Sequence, residues 1–99
     1  MATKNSARDL LTTVYHRNGY LRLPDLERRE REKASYKKGW EVRLVAKDET
    51  ELQEIRQAVD ALDFKLAKPF PKATQWIQPI YGYDAVHEFC ELVGCDKLK

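Results

Sequence analysis

The fold of this chain is decided by residues 10–23, which run LLTTVYHRNGYLRL. Apolar side chains recur there at helical spacing as far as Gly19, which fits the left-handed conformation that commonly ends a helix. From Tyr20 the pattern changes to alternation, with the leucines on one face and Tyr20 and Arg22 on the other. The sequence therefore predicts a helix that ends at glycine and leads directly into a strand.

A second strand and a second helix are predicted in the middle of the chain. Residues 40–46 alternate apolar side chains with Glu41 and Arg43, which is the clearest strand pattern in the sequence. Asp48 then fits an N-cap, with Glu51 three residues later, and apolar side chains follow at spacings of three and four. This pattern predicts an amphipathic helix that packs one face on the sheet.

Two more strands are predicted after that helix. The third begins at Phe64 and Leu66, on either side of Lys65, and two prolines soon interrupt it. The fourth covers residues 74–81 and contains Pro79. Because proline cannot donate to a strand ladder, Pro79 requires either a bulge or an edge position.

The chain is predicted to close with a helix that Asp84 caps and Gly94 ends. Cys90 lies on its apolar face and is predicted to be a buried thiol. Together with His87 and Cys95 it forms an H-x2-C-x4-C pattern, which lacks the two ligand pairs of a structural zinc site. No metal and no cofactor are expected.

The predicted element order is α-β-β-α-β-β-α, within one domain that covers residues 1–99. This order predicts an α+β fold, in which a four-stranded antiparallel sheet carries the helices on one face. A ferredoxin-like sandwich is the alternative, and the extra first helix and the β-β-α order disfavour it. The sheet's other face would be left to water or to a partner.

Residues 25–39 are dense in charge and offer almost no apolar face. They fit a solvated helical turn or the tip of a long hairpin that joins the first two strands. A solvated loop is the favoured interpretation, because mixed charges of this kind are typical of solvent-exposed segments.

The composition sets broad limits on the class of protein. The chain has 99 residues with 34% charged side chains and a formal net charge of +2, so its overall charge does not indicate a nucleic-acid partner. No apolar run approaches the roughly 18 residues of a membrane span. The amino terminus lacks the apolar core of a signal peptide. A cytoplasmic protein without membrane contact is predicted.

Alternation places polar and basic side chains on the uncovered face of the sheet. Arginine and glutamine can contact base edges and lysine neutralises phosphate, so such a face suits DNA. Arg43 is expected to direct its guanidinium away from the core and to contribute little to folding. An ordinary solvated surface explains the same pattern equally well. The candidate DNA-binding residues are Tyr20, Arg22, Arg43, Lys65 and Gln75 on the sheet and Lys37, Lys38, Lys68 and Lys72 in the turns.

The element order and the closing run from Ile80 to Val86 resemble one repeat of the LAGLIDADG homing endonucleases. Aligned with that family's nine-residue signature, residues 11–19 match its first leucine and its last glycine. Val14 and Tyr15 occupy its two apolar positions, and a Thr-Thr pair replaces the small Ala-Gly pair that lets two helices pack closely.

The resemblance implies a homodimer in which two sheets form a saddle over double-stranded DNA. The dimer interface would contain Leu11, Thr12, Thr13 and His16. Asn18 occupies the position of the signature's metal-binding acid, and a neutral amide is a poor ligand for a hard cation. The expectation is therefore a DNA-binding protein with no catalytic residues and no nuclease activity. The alternatives are a protein-interaction module that uses the same sheet face and an active Mg²⁺-dependent endonuclease.

His16 has two interpretations of its own. It could be a proton donor or a metal ligand near the dimer axis. The favoured interpretation is a polar residue at a helix end that helps to satisfy free carbonyl groups, since positive charge is favourable at the carboxyl end of a helix.

Overall fold

The computed structural model describes residues 4–22 and 40–94, in which a four-stranded antiparallel sheet carries three helices on one face. The α+β class is confirmed, and the elements within these described residues follow one another in the predicted order. The strands lie side by side in the order β1-β2-β4-β3. The helices are α1 (Lys4–Asn18), α2 (Glu49–Ala61) and α3 (Tyr83–Val93), and the strands are β1 (Tyr20–Arg22), β2 (Glu41–Ala46), β3 (Phe70–Lys72) and β4 (Gln75–Tyr81).

The strand register decides which side chains share a face, because residues opposite each other in an antiparallel pair point the same way. Arg43 lies opposite Tyr20 on one side and Pro79 on the other, so these three share a face. Val42 and Leu44 point the other way and are buried under the helices. The face away from the helices is called the open face below; its residues are Tyr20, Arg22, Glu41, Arg43, Val45, Phe70, Lys72, Gln75, Ile77, Pro79 and Tyr81.

The core lies between the sheet and the helices. Leu11 of α1, Ile55 of α2 and Phe89 of α3 are all fully buried in it, so each helix contributes a large apolar side chain. The Phe89 ring packs edge-to-face against the Tyr15 ring at a centroid distance of 5.6 Å. Cys90 is buried in the same cluster, as the sequence predicted. Burial of these side chains holds the helices on one side of the sheet.

Glycines end two helices for different reasons. Gly94 ends α3 as predicted, and its φ of 78° and ψ of 49° place it in the left-handed region. Gly19 is not left-handed, and that prediction is wrong. A Cβ atom at Gly19 would lie 2.8 Å from the Cα of Tyr15, so the residue is needed for a close approach. The prediction that Asp84 caps α3 is also wrong, because the N-cap is Gly82 and Asp84 lies in the first turn.

The third strand was predicted in the wrong place. Residues 64–69 form a link without strand structure, and β3 begins at Phe70. Phe64 is buried in the core, whereas Lys65 and Leu66 are exposed in the link. The apparent alternation at Phe64 and Leu66 therefore reflects one core anchor in an irregular segment. Strand β3 has only three residues and includes Pro71, which is tolerated because β3 is an edge strand.

Pro79 lies in an interior strand but at a local edge. The register between β2 and β4 is continuous, so no bulge accommodates the proline. The first residue of β3, Phe70, pairs with Ile77, so the stretch of β4 around Pro79 has no β3 partner. A proline nitrogen cannot donate a hydrogen bond, so the Pro79 nitrogen must face away from β2. At Pro79, β4 therefore behaves as an edge strand, although it is an interior strand of the sheet.

A bidentate ion pair joins the end of α1 to the start of α2. Arg17 donates to both carboxylate oxygens of Glu51, with Nη1 at 3.1 Å from Oε2, and Nη2 also donates to the carbonyl of Val45 at 2.9 Å. Asp48 caps α2 as predicted by accepting from the backbone N–H of Glu51 at 2.8 Å. The hydrogen bond from Arg17 lowers the pKa of the Glu51 carboxyl, and burial opposes it.

The Arg17–Glu51 pair predicts a loss of stability in acid. Because the folded-state pKa of Glu51 lies below its unfolded value, the contribution is present above about pH 4.5 and is lost as the pH falls through the folded pKa. Glu51→Gln should cost about 1 kcal/mol at neutral pH and progressively less in acid. Urea unfolding as a function of pH measures the difference. Glu54→Gln, which changes an exposed carboxylate of the same helix, should show no such trend; an equal trend in both variants would contradict the assignment.

No helix among the described residues is long and apolar enough to cross a membrane. The predictions for residues 25–39, including Lys37 and Lys38, and for Cys95 lie outside the described part of the chain.

Candidate nucleic-acid interface

Side chains from both edges of the sheet meet over the open face. The Tyr20 hydroxyl, from β1, accepts a hydrogen bond from Lys72 Nζ at 3.1 Å, and Lys72 comes from β3 at the opposite edge. The same hydroxyl accepts from Arg43 Nη1 at 3.3 Å. Edge strands of a four-stranded sheet are roughly 14 Å apart when flat. Tyr20 and Lys72 must therefore reach inward over the two central strands.

Arg43 lies at the centre of this arrangement. Its Nε donates to Glu41 Oε2 at 2.8 Å, and its guanidinium carbon lies 5.2 Å from the Phe70 ring centroid and 5.9 Å from that of Tyr20. Cations over aromatic faces at such distances are attracted by the ring quadrupole. Because Arg43 is on β2 and Phe70 on β3, the guanidinium passes over β4. Tyr20, Glu41, Arg43, Phe70 and Lys72 are called the Tyr20 cluster below.

The Tyr20 cluster lies over an apolar floor. Val45, Ile77 and Pro79 point to the open face, yet all three are buried, with Ile77 only 1% exposed. The Arg43 side chain itself is 18% exposed. The expectation that Arg43 is an exposed strand residue is therefore wrong. The side chain leaves the core, as alternation predicted, and then lies flat against its neighbours.

The charges of the cluster alter the acidity of its members. The hydrogen bond from Arg43, followed by that from Lys72, lowers the pKa of the Tyr20 phenol, because two cations stabilise the phenolate. The hydrogen bond to Glu41 raises the pKa of Arg43 above its already high ordinary value. The centre of the open face is thus an electropositive site held around a neutral hydroxyl.

Tyr20 should ionise earlier than an ordinary tyrosine, whose pKa is about 10. In an alkaline titration followed by tyrosinate absorbance, Tyr20→Phe should remove the part of the absorbance change that occurs at the lowest pH. Lys72→Ala should move that component to higher pH, because one of the two donors is lost. Tyr81→Phe is the matched control on the same face and should leave the component in place. An unchanged profile in Tyr20→Phe would disprove the arrangement.

An exposed aromatic residue and an exposed cation lie at one end of the open face. Glu41 has Arg22 opposite it on β1 and Tyr81 opposite it on β4. Arg22 is exposed, and Tyr81 is 56% exposed, a large fraction for a big apolar ring. An exposed aromatic ring is a surface on which nucleic-acid bases can stack.

The structure brings together only some of the residues predicted to bind DNA. Tyr20, Arg22, Arg43, Lys72 and Gln75 share the open face. Lys65 and Lys68 lie in the link before β3, so strand alternation does not place them on that face.

Three charged or aromatic residues of the open face, Glu41, Phe70 and Tyr81, were missing from the predicted site. The alternation of β2 and β4 carried the signal for Glu41 and Tyr81. Phe70 was missed because the third strand was predicted six residues too early.

The outer side of α1 is polar. Thr13 is exposed, whereas the Thr12 hydroxyl donates to the carbonyl of Arg8 in the same helix at 2.7 Å. Leu11, named as a dimer-interface residue, is 0% exposed within its own chain and offers no surface to a second copy without rearrangement. His16 Nε2 donates to the carbonyl of Val93 at 2.7 Å. His16 thus bonds to a carbonyl at a helix end, as its favoured interpretation predicted, but that carbonyl belongs to α3 and not to its own helix α1.

Asn18 is the last residue of α1, and its amide oxygen accepts from Arg17 Nε at 3.3 Å. In residues 4–22 and 40–94, no three histidine, cysteine, aspartate or glutamate side chains are grouped so that they could hold a metal ion.

No protein-family model, no curated protein and no solved structure matches the chain.

Proposed function

We propose that this protein binds nucleic acid, specifically double-stranded DNA, across the open face of its sheet. The observation that carries the proposal is the convergence of cationic and aromatic side chains from all four strands on the face that the helices do not cover. Among the described residues of this face, Arg22, Arg43 and Lys72 are opposed by one carboxylate, that of Glu41. An electropositive sheet face suits the phosphate backbone.

Duplex DNA is favoured over a single strand by the position of the cations. The Tyr20 cluster holds Arg43 flat at the centre of the face, whereas Arg22 is exposed at one end. Arg43 and Lys72 can therefore neutralise phosphates while Arg22 and Gln75 contact base edges in a groove of the duplex. Tyr81 could stack only on unpaired bases, so a single strand is the competing nucleic-acid ligand.

A second copy of the chain belongs to the same proposal. Two sheets side by side would extend the electropositive face along a duplex, and the small side chains at Thr12 and Thr13 would permit close helix contact.

Thr13→Arg places a bulky charge on the exposed position and should abolish a dimer. Sedimentation measures the mass, and a wild-type monomer that still binds DNA would reject the dimer while leaving the open-face proposal in place.

Fluorescence anisotropy with a labelled duplex tests the DNA-binding proposal. We expect binding that weakens linearly on a plot of log affinity against log salt. Arg22→Ala should weaken binding, and Arg8→Ala, which removes an exposed arginine from α1 on the helix side, should not. Equal effects of both variants, or no binding of any duplex, would contradict the proposal.

Three further outcomes identify a different function. Preference for a single strand of the same sequence would indicate base stacking on the open face. Absence of all nucleic-acid binding would favour a protein partner on that face. Mg²⁺-dependent nicking of plasmid, lost on addition of a chelator, would indicate an active endonuclease.

A further inference from the structure

The centre of the open face has an unusual pattern of hydrogen bonds. Two cationic groups, Arg43 and Lys72, donate to the same neutral oxygen, that of the Tyr20 hydroxyl. Among the ion pairs of the described residues, Glu41 bonds Arg43, and none involves Lys72. The cluster therefore carries one more positive than negative charge, and its two donors converge on one point.

We propose that Tyr20, Arg43 and Lys72 together bind one phosphate group, either in a nucleic-acid backbone or as free inorganic phosphate. Charge-assisted hydrogen bonds to an anionic oxygen are about twice as strong as those to a neutral acceptor. A phosphate would thus replace the phenol oxygen as the acceptor for both cations. The Tyr20 hydroxyl would then turn from acceptor to donor and contribute a third bond.

The site is arranged in advance of binding. Arg43 is held by the bond from its Nε to Glu41 and by its position against the Phe70 and Tyr20 rings. The carboxylate of Glu41, which would repel an anion, is on the Nε side of the guanidinium, whereas Nη1 points to Tyr20. A guanidinium that is already ordered loses less conformational entropy when it binds a ligand. Lys72 is exposed, so the site is open to solvent on that side.

This inference rests on the proposed function and deepens it, and it assigns Arg43 to phosphate, although arginine can also contact base edges. A phosphate contact positions nucleic acid but carries no sequence information. Arg43 variants should therefore weaken binding to all duplexes alike, and discrimination between sequences should fall to Arg22 and Gln75.

Nuclear magnetic resonance of the full chain tests the inference directly. Sodium phosphate, compared with sodium chloride at equal ionic strength, should produce saturable shifts of the Arg43 Nε–Hε signal and of the Tyr20 amide. Lys72→Ala should weaken phosphate binding at least about ten-fold, and Tyr20→Phe a few-fold, because each removes one donor. Lys65→Ala, which removes an exposed lysine from the link before β3, is the matched control and should bind as the wild type does.

A dinucleoside monophosphate identifies the source of the phosphate. Binding of this phosphodiester with the same dependence on Lys72 and Tyr20 indicates a nucleic-acid backbone, and binding of inorganic phosphate alone indicates the free ion. Absence of saturable shifts, or shifts that Lys72→Ala leaves unchanged, would overturn the inference. Failure of the proposed function is distinguishable: phosphate would then bind at this site while no duplex does. Conversely, a duplex bound equally well by Lys72→Ala, Tyr20→Phe and wild type would retain the function and reject this site.

Discussion

Arg43→Ala is expected to lower the free energy of unfolding by about 2–3 kcal/mol and to weaken nucleic-acid binding at least about ten-fold. The stability loss arises because the Glu41 side chain is 9% exposed and its carboxylate would lose the cation at 2.8 Å. A largely buried charge without a partner is costly. The Tyr20 and Phe70 rings would also lose the guanidinium between them. Urea unfolding and fluorescence anisotropy measure the two effects separately.

A double variant separates the structural role of Arg43 from its role in binding. Glu41→Gln combined with Arg43→Ala removes both charges, so no unpaired carboxylate remains and most of the lost stability should return. Nucleic-acid binding should stay weak, because the cation is still absent. If the double variant binds normally, Arg43 lies outside the interface. If Arg43→Ala alone is as stable as wild type, the Glu41–Arg43 pair contributes nothing to folding.

Gln78→Leu is expected to destabilise the protein by about 2–4 kcal/mol, through polar groups that lose their partners. Gln78 is 0% exposed on the helix side of β4. Its amide nitrogen donates to the carbonyls of Ala67 at 2.9 Å and Pro79 at 3.1 Å, and its oxygen accepts from Arg56 Nη1 at 2.7 Å. Leucine has a similar volume, so the cost should come from the lost hydrogen bonds. Denaturant unfolding gives the magnitude.

Gln75→Leu is the matched control for Gln78→Leu, because both glutamines are on β4 and Gln75 is only half-buried on the open face. It should change stability by less than about 0.5 kcal/mol. Amide hydrogen exchange adds a local test. The side chains of Gln78 and Arg56 both donate to the carbonyl of Ala67. The increase in exchange rate caused by Gln78→Leu should therefore be larger in residues 64–69 than in the rest of the chain. Equal stability of the two variants would show that the buried hydrogen bonds are replaced by others.

The sequence predicts elements well where the periodicity is long. Strand β2 alternates over six residues and α2 has a cap and an apolar stripe, and both lie where they were predicted. Strand β3 could not be located, because three residues with a central proline carry no period. Phe64 instead resembled a strand residue while serving as a core anchor. The position of β3 is determined by its neighbour β4 and by no pattern of its own.

The candidate site was predictable in its face but not in its contacts. Alternation assigns Arg43 to the side of the sheet away from Val42 and Leu44, and the register confirms that assignment. Whether the side chain extends into solvent or lies flat depends on Tyr20, Phe70 and Lys72, which come from other strands. His16 shows the same limit, since its partner is the carbonyl of Val93, 77 residues away. Sequence patterns report the direction of a side chain, and contacts between distant segments decide where it ends.

The short β3 has a consequence for intermolecular aggregation. Beyond its pairing with Phe70, strand β4 has no neighbouring strand on the side away from β2, and unpaired strand backbone can pair with a strand of another molecule. Pro79 has no N–H to offer on that side, and its carbonyl accepts a hydrogen bond from the Gln78 side chain. Gln78, Pro79 and Ile80 are also fully buried, so little of this backbone is open to a foreign strand. Burial and a proline thus both disfavour edge-to-edge polymerisation at the place where β4 lacks a second strand partner.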